Sequence, residues 1–517
     1  MQERSKNKQL AINMTASLLT FVVGLGIQFF LTPYIVKSLG ADAYGFIGLS
    51  SNILSYTGLV TIALNSMAGR FVTIKYQEGD IEEANKYYAS VFYSNIILAS
   101  VILLLGAGCV IWLEQMINIP NHLLVDVKIL FSLLVVNNIV GLVTGIWGVA
   151  TFIKNRLDLS NIRSIIGNLM NVTILIVSFT FFTPHIWYMG IAGMVLTLYV
   201  AITNRQFSRI LTPELIVRRC NYDWNKVLEL VKSGMWNVVS KLGEMLGQGF
   251  DMLIANLFIG ATAMGVFGLS RQIPFITIGL CATISGVFSP TFTRLYALKD
   301  TEQLKNELNK SIRILGCVVT IPLVFLLVFG DNFYHLWLPT QDYHKIQLLS
   351  ILCSLELVLS LPLEALWNIF TITNKVRTSS LFMLGNHFLT FVIVITSMNF
   401  IDSVDIKLMV LASTRTILGI IRSLTFLPMY GAKCLNLRWN SFFPPMAKSF
   451  CALVATGIIC FALKTLFSID NWTILIFCGV MVAIVSCAVN FYLVFSSTDR
   501  HFILSKIQTT LIRNERR

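Results

Sequence analysis

The sequence predicts an all-α integral membrane protein of about fourteen transmembrane helices: two six-helix bundles related by a parallel repeat, plus two C-terminal helices. Three observations carry this. Hydrophobic residues make up 55% of the chain, charged residues only 13%, and mean hydropathy is +0.73, whereas a soluble domain carries roughly 25% charged residues. The apolar residues fall in long runs near the ~20 residues a helix needs to cross a bilayer. The chain also repeats itself at an offset of 220 residues: LGADAYGFIGLSSNI at 39–53 and IGATAMGVFGLSRQI at 259–273 match at eight of fifteen positions.

The apolar segments run at about 10–36, 44–68, 88–113, 129–152, 162–182, 186–203, 235–259, 264–288, 312–330, 346–372, 379–399, 406–430, 446–467 and 472–495. The first follows Arg4, Lys6 and Lys8, but it is too long for a signal peptide and aligns through the repeat with the seventh. The offset persists beyond the core motif. Gln28 pairs with Gln248, Phe30 with Phe250, and Thr73, Tyr76, Asp80 and Glu82 with Thr293, Tyr296, Asp300 and Glu302; Trp147 pairs with Trp367. A period this long marks a duplicated half-protein, which in a membrane chain points to a transporter.

The expected domains are therefore an N-terminal bundle (1–204), a cytoplasmic linker (205–234), a C-terminal bundle (235–431), two appended helices (432–497) and a basic amphipathic tail (498–517) on the inner leaflet. The WNKVLELVKSG stretch of the linker is expected as a short surface helix leading into the seventh segment. With the N-terminus in the cytoplasm, 30 Lys and Arg fall on the cytoplasmic side and five (Lys37, Lys128, Lys345, Lys407, Lys464) on the other. That asymmetry puts both termini in the cytoplasm of a cell with the protein in its inner membrane. It also accounts for the net charge of +13 without nucleic acid. Six helices separate equivalent positions, so both halves share one orientation.

The ten cysteines form no CxxC, and the six histidines show no metal-ligand spacing, so no metal, cofactor or redox pair is expected. There is no GxxxxGK[ST] loop, and no catalytic set stands out on an extramembrane face. Short outer loops argue against a membrane polymerase or ligase.

Ionisable groups at bilayer depth are costly and often mark a pathway. In the seventh segment Asn237, Lys241, Glu244, Gln248 and Asp251 follow a 4-3-4-3 spacing, which puts them on one helix face turned from lipid. Arg271 lies in the eighth segment, where the first copy has Ser51; Arg415 and Arg422 share a face of the twelfth. Glu356 and Glu364 lie in the tenth, about 80° apart around a helix. The first-half spans carry no such charge. Lys241, Arg271, Arg415 and Arg422, with Asn237, Gln248 and Gln28, are the candidates to line a substrate cavity, because guanidinium groups suit phosphate. Glu244, Asp251, Glu356 and Glu364 are candidates for cation coupling or for ion pairs. Lys241 with Glu244 has i, i+3 spacing, and either Arg415 or Arg422 could hold the two glutamates. The matched glycines read as tight turns and close packing, and Asp80 and Asp300 as helix caps.

The segment LTPYIVKSLGADAYGFIGLSSNI (31–53), with its GxxxYG core and Tyr44, the Asp80 region and the Trp147–Asn155 region resemble the polysaccharide-transport family of the multidrug/oligosaccharidyl-lipid/polysaccharide superfamily. The resemblance covers the first twelve helices. It implies a V-shaped pair of bundles around a cationic cavity that flips a polyprenyl-pyrophosphate-linked oligosaccharide to the outer leaflet. Alternating access driven by H+, Na+ or membrane potential is the implied mechanism. The implied role is O-antigen-type or lipopolysaccharide assembly, with membrane lipids, a polysaccharide polymerase and chain-length proteins as partners. A cation-coupled multidrug exporter of the same superfamily is the alternative. The chain departs from the family pattern in having balanced intramembrane charge confined to its second half.

Overall fold

A computed structural model describes residues 2–154, 156–245, 250–373, 375–466, 468–495 and 500. The tail at 501–517 therefore lies outside the described residues. Among the described residues there is no β-strand, as expected where backbone groups in lipid must be satisfied within each segment. Each of the fourteen apolar segments is helical over most of its described part, with turns at residues such as Arg271 and Thr425. Ten helices among the described residues are long and apolar enough to cross a membrane by length and composition, so that measure does not reproduce the count of fourteen. Segments 10–36 and 44–68 lie on either side of a break at Gly40 within the run Gln2–Gln77. Segments 235–259 and 406–430 carry five of the eight charges named above: Lys241, Glu244, Asp251, Arg415 and Arg422.

The chain packs as two compact units. One comprises Met1–Gly268 and Ser380–Lys407; the other comprises Leu269–Ser379 and Leu408–Arg517. These are packing units, and their borders fall elsewhere than the borders of the repeat.

Backbone geometry reproduces the repeat in detail. Gly40 and Gly260 both have positive φ, 89° and 128°, and break the chain between the paired helices. Further along, Gly79 (φ 81°) is matched by Lys299 (φ 59°). Both end a helix in the same way. Asp80 N–H donates to Lys75 O and Gly79 N–H to Tyr76 O; Asp300 N–H donates to Leu295 O and Lys299 N–H to Tyr296 O, the paired bonds of a Schellman motif. Asp80 then caps helix Ile81–Ile111, accepting from Glu83 N–H at 3.1 Å. Asp300 caps Thr301–Trp337, accepting from Gln303 N–H at 3.0 Å. The two aspartates thus satisfy otherwise orphaned N–H groups at the start of whole spans.

In the first unit the two repeat motifs pack on each other. A Cβ on Gly45 would come within 3.0 Å of Gly265 N, and one on Gly265 would overlap the Ala41 carbonyl. Gly48 and Gly268 both face the Met252 methyl, and a Cβ on either would come within 3.1 Å of it. Nearby, Asn118 N–H donates to Asn256 Oδ1 (2.9 Å), and Asn256 Nδ2 donates back to Asn118 O (3.1 Å). A second polar tie lies among the early helices. Asn65 and Asn95 exchange amide hydrogen bonds at 2.9 and 3.0 Å, and Asn95 also donates to Leu142 O.

The WNKVLELVKSG stretch is not a separate surface helix. It forms the opening turns of Trp224–Glu244, capped by Asp223, with Val227 and Leu230 buried while Trp224 and Leu228 stay exposed. Val227 and Leu230 join Leu64, Val72, Tyr88, Ile146 and Leu215 in one core. The linker is pinned to helix Ile81–Ile111. Ile216 N–H donates to Asn85 Oδ1 (2.7 Å), Asn85 Nδ2 to Glu214 O (3.0 Å), and Tyr87 O–H to Glu229 (2.6 Å). Lys226 pairs with Glu83 at 2.6 Å, and this hydrogen bond raises the Lys226 ammonium above its ordinary pKa. The Glu214 carboxyl is held low by its own backbone amide and then by the Tyr76 hydroxyl.

In the second unit helix Thr301–Trp337 is the axis. Helices Gln272–Ala297, Tyr343–Ser354, Phe443–Lys464 and Trp472–Leu493 pack along it. Gly316 faces Ser449 so closely that a Cβ there would overlap the Ser449 hydroxyl. Lys464 Nζ reaches back to Val328 O at 2.7 Å. The last two helices are thus part of this unit's core packing.

Candidate substrate and coupling site

Helix Val404–Leu424 supplies the densest arrangement of site candidates. Its small residue Gly419 leaves a notch, and the Glu356 carboxylate fills it: a Cβ on Gly419 would overlap Glu356 Oε2. One turn away, Thr416 Oγ1 donates to Leu352 O, so Leu352 and Glu356 lie along one line of contact. Arg422 closes the arrangement, with Nη2 at 3.5 Å from Glu356 Oε2 and side-chain exposures of 11% and 8%. Glu364, in the 3-10 stretch Leu361–Leu366, lies within electrostatic reach of Arg422 and Cys281. Glu356 thus pairs with Arg422, and Glu364 feels the same guanidinium from further off.

This arrangement can hold charge at membrane depth without exposing it to lipid. A bare ion there costs several kcal/mol, and an opposite charge with a hydrogen bond offsets much of it. Protonating or neutralising either glutamate would change the charge balance around Arg422.

The other candidates are distributed as follows. Arg415 is half-buried on the same helix as Arg422, seven residues earlier. Arg271 occupies the turn between Ala261–Ser270 and Gln272–Ala297, half-buried. Both belong to the second unit, with Glu356 and Glu364. Asn237 and Lys241 are half-buried on Trp224–Glu244, and Asp251 is buried at the start of Phe250–Phe258. These three and half-buried Gln28 belong to the first unit. The polar stripe of the seventh segment spans two described helices. Between them, Gln248 lies outside the described residues, as does the side chain of Glu244.

One arginine corrects the expectation that first-half spans hold no charge. Arg163, one of the 30 cations counted on the cytoplasmic side, is 9% exposed on helix Leu157–Phe181. Its guanidinium donates to Asn204 Oδ1 and, at 3.0 Å, to Ser160 Oγ. Asn204 is 41 residues away and no local spacing announces it. Nearby Asp158 is also buried, bonded by Arg156.

A chain with ten candidate spans, a duplicated helix-pair frame and charges held in pairs inside it is a multi-pass membrane protein of transporter architecture. Solved structures share that fold. An inward-facing multidrug-resistance MATE transporter of the MOP superfamily matches with TM-score 0.64 and 13% identity, over 83% of this chain and 97% of that one. The inward closed lipid II flippase MurJ matches with TM-score 0.63 and 14% identity, over 93% and 99%. Residues 38–346, more than half the chain, match the model of a family described as polysaccharide biosynthesis proteins, and the chain belongs to that family. Among curated relatives, the uncharacterized membrane protein EpsK of Bacillus subtilis (strain 168) is 27% identical over 502 residues, covering 97% of this chain and 99% of that protein. The probable flippase AglR of Haloferax volcanii is 21% identical over 361 residues, 69% of this chain and 68% of its own length.

Proposed function

We propose that this chain is a flippase. It moves a polyprenyl-pyrophosphate-linked oligosaccharide from the cytoplasmic to the outer leaflet of the cytoplasmic membrane, for assembly of a cell-surface polysaccharide of the O-antigen or lipopolysaccharide kind. It is a secondary-type transporter and not an enzyme, and both termini are cytoplasmic. The observation that carries the reading is the mutual packing of the two repeat motifs through Gly45 and Gly265, with Asn118 and Asn256 interlocked beside it. A seal built from the two halves of a duplicated chain is what alternating access has to open and close. The charge asymmetry puts that seal at the outer end.

Arginines at membrane depth suit the pyrophosphate, and Arg271 and Arg415 are its ligands, with Lys241, Asn237, Gln248 and Gln28 as further polar groups for the headgroup. Glu356 and Glu364 around Arg422, with Asp251 and Glu244, couple the cycle to H+ or Na+. A polymerase and chain-length proteins take the product onward.

Deletion of the gene tests this. Lipid-linked glycan should accumulate in the cytoplasmic leaflet and surface glycan should disappear. Normal surface glycan together with drug hypersensitivity would instead identify a multidrug exporter.

A further inference from the structure

Where helix Tyr188–Leu211 runs out into the linker, the first unit carries a half-open cleft of about 470 Å³, lined by Arg205, Arg209, Ser208, Tyr88, Trp147 and Ile216 among others. That is within the size range of small-ligand pockets. We propose that it holds the phosphate headgroup of an anionic phospholipid from the leaflet at that end of the helix. This does not depend on the transport reading.

The two arginines stand four apart, so they project from one helix face. The Arg205 guanidinium lies over the Trp147 ring, 5.5 Å from its centroid. A cation over the ring face is held there by the ring quadrupole, and its N–H groups can still reach an oxyanion. Among the described residues no acid pairs with Arg205 or Arg209, although Lys75, Lys86, Arg156 and Lys226 at the same end all have carboxylate partners. The helix C-terminus attracts cations through its partial negative charge. About half a charge does not call for two arginines, an aromatic shelf and a cleft between them. Behind the arginines the floor is polar: the Tyr88 hydroxyl and Ser208 Oγ are hydrogen-bonded at 3.1 Å.

The surroundings select a lipid over a soluble phosphate. Ile210 is 74% exposed and Ile202 59%, and Ile216 lines the cavity while 45% exposed. Exposed aliphatic side chains beside a cationic pocket provide a path for acyl chains at the level where headgroups lie.

The test is native mass spectrometry of the full chain in detergent, with phosphatidylglycerol or phosphatidylcholine added, and with glycerol phosphate as a soluble competitor. One phosphatidylglycerol should be retained in preference to phosphatidylcholine. Arg205→Ala with Arg209→Ala should weaken it roughly tenfold or more, given about 1 kcal/mol per interfacial cation. Arg438→Ala, an exposed cation elsewhere, should leave it unchanged. If the double alanine variant is not monodisperse, Arg205→Gln with Arg209→Gln, which keeps the stems, is read in the same way. Equal retention of both lipids, or undiminished binding by the double variant, overturns the proposal. Displacement by glycerol phosphate at equal concentration overturns the lipid source and leaves a soluble phosphate ligand.

Discussion

Gly45 and Gly265 hold equivalent places in the two copies of the repeat and press against each other, with a Cβ on Gly45 falling 3.0 Å from the Gly265 amide nitrogen. The duplicated motif is therefore also a self-complementary surface. Glycine is needed at 265 because the added methyl would meet a backbone carbonyl, which has no rotamer to give. Gly265→Ala should cost at least the ~1–3 kcal/mol typical of overpacking, read as a lowered midpoint of thermal unfolding in detergent. An unchanged midpoint would refute this account of the contact.

The neighbouring Asn118 and Asn256 provide a way to hold the same contact closed. Asn118→Cys with Asn256→Cys, joined by a short bifunctional thiol reagent, should abolish surface glycan in cells. A cleavable linker should restore it on reduction. Transport that continues after cross-linking would show that this contact need not open.

Gly419 and Arg422 both act through Glu356. Gly419→Ala should displace the Glu356 carboxylate from its notch, and Arg422→Ala should leave it buried without its cation. Each should cost about 3–5 kcal/mol, the range for breaking a buried pair. Removing both partners, Glu356→Ala with Arg422→Ala, should cost less than the sum of the single changes. Strict additivity in denaturation measurements would mean the pair contributes no coupling.

Lys299 stands where the first copy has Gly79, at φ 59° against 81°. A side chain is strained there and glycine is not. Lys299→Gly should stabilise the protein by about 0.5–1 kcal/mol, and Gly79→Ala should destabilise it by a similar amount. Thermal shifts of the same sign for both variants would contradict the shared geometry.

Much of this architecture is legible in the amino-acid sequence. The apolar runs mark the helices, since a segment in lipid has few other ways to satisfy its backbone. The pairs Gly40/Gly260 and Asp80/Asp300 mark turns and caps, because those residue types have a local job that depends on nearby backbone alone. Partner choice is not legible. Arg415 and Arg422 share a helix face, and helical periodicity cannot say which of them meets Glu356. Gly419 gives no signal, since a glycine does not show what lies against it. Arg163 counts among the cytoplasmic cations because its burial depends on Asn204, on another helix.

The packing of Phe443–Lys464 and Trp472–Leu493 along Thr301–Trp337 also bears on how the protein is made. The 301–337 helix leaves the ribosome more than a hundred residues before the helix whose Ser449 meets its Gly316. Until the C-terminal pair is inserted, that small-residue face has only lipid or an insertion factor to cover it. A ribosome stalled before residue 443 should therefore leave a second unit that is inserted but incompletely packed, and open to quality-control proteases that recognise loose membrane helices.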